Sequence, residues 1–203
     1  MTNPTRREEN RLMREGYSLI AGIDEAGRGA WAGPLVAAAV ILPKNKVITG
    51  IRDSKRLTQL AREKVFEKII KNAEAYHVQV ISRKFIDTFG IQKANVMAIR
   101  KAALGLTARP DFILVDCFPV VWRSIESKSI IRGDVHVMSI AAASIVAKVT
   151  RDRLMLRYHR QYPMYSFCRN KGYGTASHQT GLVRYGICPQ HRLSYKPIQM
   201  YLL

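Results

Sequence analysis

Three acidic side chains stand where hydrophobic runs of this chain end, and a fourth stands just ahead of a later one. Leu19, Ile20, Ala21, Gly22 and Ile23 lead directly into Asp24 and Glu25, and Phe112-Ile113-Leu114-Val115 leads into Asp116. Asp134 sits in Arg132-Gly133-Asp134-Val135, just ahead of a segment rich in small residues. Neighbouring carboxylates at the mouth of a buried strand repel each other and resist leaving water, so they require cations between them. Hard oxygen donors suit Mg²⁺ or Mn²⁺. Two such ions can activate a water and stabilise the leaving oxygen of a phosphodiester.

Two conditions must hold for this chemistry. The strands ending in Asp24 and Asp116 must be neighbours with the same polarity, because open α/β sheets gather their sites at the carboxyl ends of strands. Strand alternation also sends Asp24 and Glu25 to opposite faces, so one metal site takes both only if the backbone bends there. Gly27, Arg28 and Gly29 provide a turn that permits the bend. Each acid also has an ordinary structural role open to it: a strand-ending turn for Asp24 and Glu25, a cap for Asp116, a turn beside Gly133 for Asp134. The glycine turn is no dinucleotide loop, since Gly27-x-Gly29-x-x-x-Gly33 misses the G-x-G-x-x-G spacing. No Walker Lys-Ser/Thr follows it, and the two carboxylates ahead of it would repel a pyrophosphate.

The elements that must position these groups are legible from periodicity. Apolar runs predict strands over Leu19–Asp24, Leu35–Leu42, Val78–Ser82 and Phe112–Asp116. Ala61, Val65, Phe66, Ile69 and Ile70 repeat at helical spacing, as do Ile91, Ala94, Ala98, Ala102 and Leu106. A third helix is expected from Ile140 to about Tyr158, its start made of small residues that let it sit close to a sheet. Together they predict an α/β protein with a mixed central sheet flanked by helices. Residues 1–17 read as a charged N-terminal arm or short helix, 18–160 as the catalytic core, and 161–203 as a small C-terminal helical appendage of one compact unit.

Charge narrows the partner. Lys and Arg number 33 against 15 Asp and Glu, a net charge of +18 spread along the 203 residues, which suits a surface that tracks phosphates. The odd, unpatterned cysteines Cys117, Cys168 and Cys188 are read as free thiols of a cytoplasmic protein. Cys188 and His191 form a Cys-x-x-His half-site with no second half at zinc-finger spacing, so zinc is not expected. No signal peptide or membrane-spanning run is present, and no membrane partner is expected.

Several motifs in order make the chain resemble the bacterial ribonucleases HII, the type 2 ribonuclease H family. They are Gly22-Ile23-Asp24-Glu25-Ala26-Gly27-Arg28-Gly29, Asp53-Ser54-Lys55-Arg56-Leu57, Val115-Asp116 and Gly133-Asp134. Ala142 to Asp152, Lys171-Gly172-Tyr173-Gly174-Thr175 and His191-Arg192-Leu193-Ser194-Tyr195 continue the match over nearly the whole chain. The resemblance implies an RNase H-like fold and metal-dependent cleavage of RNA in duplex with DNA, single embedded ribonucleotides included. It implies a cut 5′ to a ribonucleotide that leaves a 3′-hydroxyl and a 5′-phosphate.

It further implies that Asp24, Glu25, Asp116 and Asp134 bind the metals. Gly27, Arg28 and Gly29 would read the ribose 2′-hydroxyl, and Tyr173 would pack on the sugar that follows. Lys55, Lys148, Lys171 and His178 are expected phosphate contacts, while Asp53 and Asp152 are expected to hold loops and a helix in place. The chain departs from the family pattern at Ala30 and Trp31, where Pro and a small aliphatic are usual, and at Cys117 and Phe118. Gln199-Met200-Tyr201-Leu202-Leu203 resembles a degenerate sliding-clamp peptide. A monomer is expected. The rival readings are a non-catalytic RNA-binding protein, and another RNase H-like enzyme such as a resolvase or transposase.

Overall fold

The computed structural model describes residues 3–122 and 124–202. Five strands, β1 (Ile20–Ala26), β2 (Leu35–Ile41), β3 (Ala75–Ile81), β4 (Phe112–Asp116) and β5 (Glu126–Ile130), form one sheet in the order β3-β2-β1-β4-β5. β1 pairs antiparallel with β2 and parallel with β4, and β4 pairs parallel with β5. The β1–β4 register aligns Ile23 with Val115, so Asp24 and Asp116 are the next residues out of the same end of two parallel neighbours.

Alternation decides which helix each strand residue meets. Ala21, Ile23, Ala37 and Ala39 face α3 (Arg83–Leu104) through Ile86, Ala94, Ala98 and Ile99. Val36, Ala38 and Val40 face α5 (Met138–Gln161) and α2 (Gln59–Asn72) through Ala141–Ala143, Ile145, Val65 and Ile69. β2 is buried along its whole length, which explains its unbroken apolar run. The α3 pattern expected from Ile91 follows Gly90, whose φ of 80° breaks the helix at that point.

The N-terminal segment is docked. α1 (Arg7–Arg14) buries Leu12 among Ile20, Phe112, Val137 and Ile140. Its Glu9 carboxylate accepts the Ser139 amide at 2.7 Å, supplying from another element the cap that Val137, at the start of α5, has no side chain to give. Beyond the short α4 (Gly133–His136) and α5, the C-terminal region adds α6 (Phe167–Asn170), α7 (Ala176–Tyr185) and α8 (Lys196–Gln199). These wrap Tyr165, Phe167, Leu182 and Ile198 around Met155 of α5 and Ala32, which ties the appendage to the core. β5, unforeseen in the sequence, is the polar Glu-Ser-Lys-Ser-Ile stretch at a sheet edge.

β1 and α5 touch at a glycine. A Cβ on Gly22 would stand 2.2 Å from the Ser139 carbonyl carbon and 2.4 Å from the Ile140 nitrogen. These are backbone atoms that cannot swing aside. Gly22→Ala is therefore expected to cost about 1–3 kcal/mol or more of stability. Urea unfolding measures this, and an unchanged midpoint would contradict the close approach.

Candidate active site

Asp24, Asp116 and Asp134 each offer a carboxylate oxygen, and these oxygens lie within 4.8 Å of one another. They share a cleft of about 330 Å³ with Glu25, the Gly27–Gly29 turn, Ser54, Lys55, Ser144, Lys148 and Tyr173. The Asp116 carboxylate accepts the Gly133 amide at 2.7 Å, pinning the loop that carries Asp134 to the end of β4. Arg132 turns that loop in the left-handed region at φ 56°. Asp24 accepts the Glu25 amide at 2.7 Å. Glu25 points to the α3 face, as alternation requires, and stands outside the three-acid group. Its Oε2 and both amide atoms of buried Asn95 have no hydrogen bond of ordinary length.

The electrostatics are those of acids whose burial outweighs the counter-charge near them. Burial, then the Glu25 and Asp116 charges, raise Asp24 well above the usual carboxylate range. Burial lifts Glu25 to about 7 against the opposing pull of Arg28. Burial and the Asp134 charge raise Asp116. Hard, partly desolvated oxygens on convergent backbone segments are the donor set of a divalent-cation site. Lys55 supplies one positive charge, 3.1 Å from Asp134 with its own side chain largely in solvent.

Lys55 stands on a short turn that Asp53 caps, its carboxylate accepting the Lys55 amide at 2.9 Å. Ser54 meets Ser144 at 3.0 Å. Lys148 is paired with Asp152 at 2.7 Å, and Arg62 joins the same carboxylate at 3.7 Å. Asp53 and Asp152 thus hold the surroundings of the cleft together.

The glycine turn is held from behind by two fully buried arginines that the sequence did not single out. Arg192 donates to the carbonyls of Gly33 and Arg28 at 3.0 Å each, and the Tyr195 hydroxyl donates to the Arg28 carbonyl at 2.5 Å. Arg151 donates to the carbonyls of Pro34, Ala32 and Lys171 at 2.9, 3.1 and 2.8 Å. A Cβ on Gly27, whose φ is 94°, would meet Arg151 Nε at 1.9 Å, so only glycine fits over this guanidinium. The Arg28 guanidinium lies over the Phe118 ring at 4.9 Å. Tyr173, 39 % exposed, faces the cleft with its ring 5.6 Å from the Arg151 guanidinium carbon.

Two expected phosphate contacts are corrected. His178 is fully buried, its ring nitrogens engaged by His191 and the Tyr173 carbonyl, so it presents nothing to a phosphate. Lys171 is buried as well, and its ammonium is hydrogen-bonded to the Cys168 carbonyl. A sequence names an ionisable group but not the neighbours that occupy it. The Cys188–His191 pair is buried, with His191 Nδ1 on the Cys188 amide at 2.8 Å.

The family model described as Ribonuclease HII matches residues 21–198. A ribonuclease HII of Listeria monocytogenes is 50% identical over 191 residues, spanning 94% of this chain and 73% of that protein. Among solved structures, the ribonuclease H2 of Pyrococcus horikoshii superposes with a TM-score of 0.79 at 26% identity, covering 91% of this chain and 97% of that one. The RNase HII of Archaeoglobus fulgidus, solved in complex with PCNA, gives a TM-score of 0.77 at 26% identity over 88% and 96% of the two chains.

The raised acids set a pH dependence for the metal-free protein. A carboxyl whose folded value exceeds its unfolded one keeps its proton in the native state after the unfolded chain has lost it. Its contribution is fully present below the ordinary value of 4.5 and fades as pH rises toward about 7 for Glu25. Glu25→Gln should therefore raise the metal-free thermal midpoint at pH 8 by about 2–6 °C, with the two proteins converging near pH 4. Equal midpoints at pH 8 would contradict the desolvation of Glu25.

Proposed function

This chain belongs to the ribonuclease HII family and is an RNase H endonuclease acting on RNA/DNA, and we propose that it cuts 5′ to ribonucleotides, single ones embedded in duplex DNA included. The observation that carries the reading is the meeting of three aspartates within 4.8 Å beside the Gly27–Gly29 turn and Tyr173. Asp24, Asp116 and Asp134 would hold the cation, with Glu25 joining from the other face of β1. Bound there, two Mg²⁺ or Mn²⁺ ions would neutralise the acids, activate water and stabilise the leaving oxygen, giving a 3′-hydroxyl and a 5′-phosphate.

The protein's own groups supply the selectivity. RNA and DNA differ locally by the 2′-hydroxyl, and backbone groups can approach it where no Cβ intervenes. A Cβ on Gly29 would meet nothing within 4 Å, which leaves that side of the turn open to a sugar. Carbonyls fixed by Arg192 and Arg151 keep the turn rigid while it reads. A tyrosine ring at Tyr173 resting on the next sugar would penalise a second 2′-hydroxyl there. Lys55 and Lys148, which line the cleft, would meet phosphates, Lys148 by turning from its ion pair with Asp152.

We read the chain as a monomer of the cytoplasm that serves ribonucleotide excision from DNA. Among the described residues, no helix is long and apolar enough to cross a membrane. The tail Gln199–Leu203 leaves Met200 and Leu202 exposed, Leu203 lying outside the described residues, and it is proposed to bind a sliding clamp. The archaeal relative solved with PCNA supports that reading.

Matched duplexes with no, one or several ribonucleotides test the activity. Cleavage is expected only where ribonucleotides are present and Mg²⁺ or Mn²⁺ is added, and cutting of all-DNA duplex would favour the resolvase-like reading. Asp116→Asn should slow cleavage at least about a hundredfold while hybrid binding persists. Near wild-type turnover would remove Asp116 from the chemistry. For the tail, a chain lacking Gln199–Leu203 should lose clamp capture in a pull-down, and undiminished capture would dismiss the tail.

A further inference from the structure

Behind Tyr173 lies a pair of histidines that no step of the cleavage uses. His178 on α7 and His191 in the following loop are both fully buried, Nε2 facing Nε2 at 2.9 Å. Their walls are aromatic: Phe167 stands edge-on to His178 with centroids 5.3 Å apart, Tyr165 edge-on to His191 at 4.8 Å, and Trp31 lies 5.8 Å from His178. Among the described residues, no carboxylate is hydrogen-bonded or ion-paired to either ring.

His191 Nδ1 has two neighbours on Cys188, the amide at 2.8 Å and the carbonyl at 3.2 Å. With both rings neutral, the Tyr173 carbonyl, which only accepts, decides the assignment: His178 Nδ1 must carry its proton, and His191 Nδ1 then accepts from the closer Cys188 amide. The proton of neutral His191 is then on Nε2, which donates to His178 Nε2. His178 in turn donates from Nδ1 to the Tyr173 carbonyl at 3.0 Å. Every member is satisfied with both rings neutral, whereas a proton added to either ring would set two N–H groups head to head. Burial in this nest pushes both imidazoles below their ordinary value, His191 to about 4.

We infer that His191 and His178 are positioning residues, a directed chain running from the Cys188 amide to the Tyr173 carbonyl that fixes the tyrosine against the substrate sugar. The inference rests on the reading of Tyr173 given above. The same chain is braced from the turn side, because the Trp31 amide donates to the Gly172 carbonyl at 2.8 Å. A Cβ on Gly174 would collide with the Trp31 ring at 2.1 Å. Trp31, a departure from the family pattern, thus fills the space between the 2′-hydroxyl-reading turn and the tyrosine loop.

Substitutions that imitate one imidazole nitrogen at a time test this. His178→Asn keeps a donor near the Nδ1 position, and His178→Gln keeps only the Nε2 side. On a duplex with one ribonucleotide, His178→Gln is expected to lower kcat by about tenfold to a hundredfold, with His178→Asn recovering much of the loss. His178→Gln added to Tyr173→Ala should slow the reaction no further than Tyr173→Ala alone. Equal losses in the two His178 variants, or multiplying losses in the double variant, would overturn the inference. Should the variants fail to fold, ring ¹⁵N spectra of the wild-type protein decide, with neutral Nδ1–H His178 and Nε2–H His191 expected at pH 7. A cationic ring or the opposite tautomers would overturn it. Wild-type protein that leaves every ribonucleotide duplex uncut would instead defeat the functional reading, while the spectra still judge the hydrogen-bond chain.

Discussion

Mutual repulsion among desolvated carboxylates is the constraint that the rest of this structure serves. Asp24 and Asp116 are carried to the same end of adjacent parallel strands by a register that pairs Ile23 with Val115. Asp134 is brought to them by a loop tied to Asp116 through the Gly133 amide. In the metal-free state these acids are met by the pull of Arg28 on Glu25, the solvent-facing Lys55 beside Asp134 and a few backbone amides, and burial still raises Asp24, Glu25 and Asp116. The energy that holds them together comes from elsewhere: two apolar layers on either face of β1 and β2, and a small-residue start to α5 that permits close packing. A site that is strained alone and relieved by cations is primed to bind them.

The glycine turn is held by a different device, buried guanidinium groups that hold carbonyls. Arg151 and Arg192 together grip the carbonyls of Arg28, Ala32, Gly33, Pro34 and Lys171. The glycine turn and the segment leading to Tyr173 are thereby parts of one rigid body, though almost 150 residues separate them in the chain. A planar fork with five donors suits this role, since it satisfies several carbonyls in fixed directions where a lysine would satisfy them one at a time. The long helix α5 contributes Arg151 and also packs against β1 at Gly22, so the acid cluster and the glycine turn share a support.

Much of this was legible in the sequence, and the omissions have physical causes. Apolar runs marked β1, β2 and β4 because those strands are buried on both faces, and the acids at their ends marked the cleft. β5 carried no such signal: its residues are exposed and polar, and only pairing with β4 makes it a strand. Arg151 and Arg192 looked like two more of 33 basic residues, since composition cannot show that a charged group is enclosed by carbonyls. His178 and Lys171 were misassigned for the converse reason, their polar atoms being satisfied internally. Asn95, which meets Glu25 from α3 on the same face of the sheet, lay hidden in a helical stripe of alanine and isoleucine.

The contact between Glu9 and the Ser139 amide carries a consequence for any shortened form of the chain. Translation begun at the internal Met13 would yield a polypeptide with every acid of the cleft, every glycine of the turn and both buried arginines. It would lack Glu9, and with it Thr5, whose amide and carbonyl bond the chain at His136 and Met138. The helix that underlies the whole cleft would start with its first turn unsatisfied. The arm thus supports the fold at a distance, leaving the acids of the cleft untouched when it is absent.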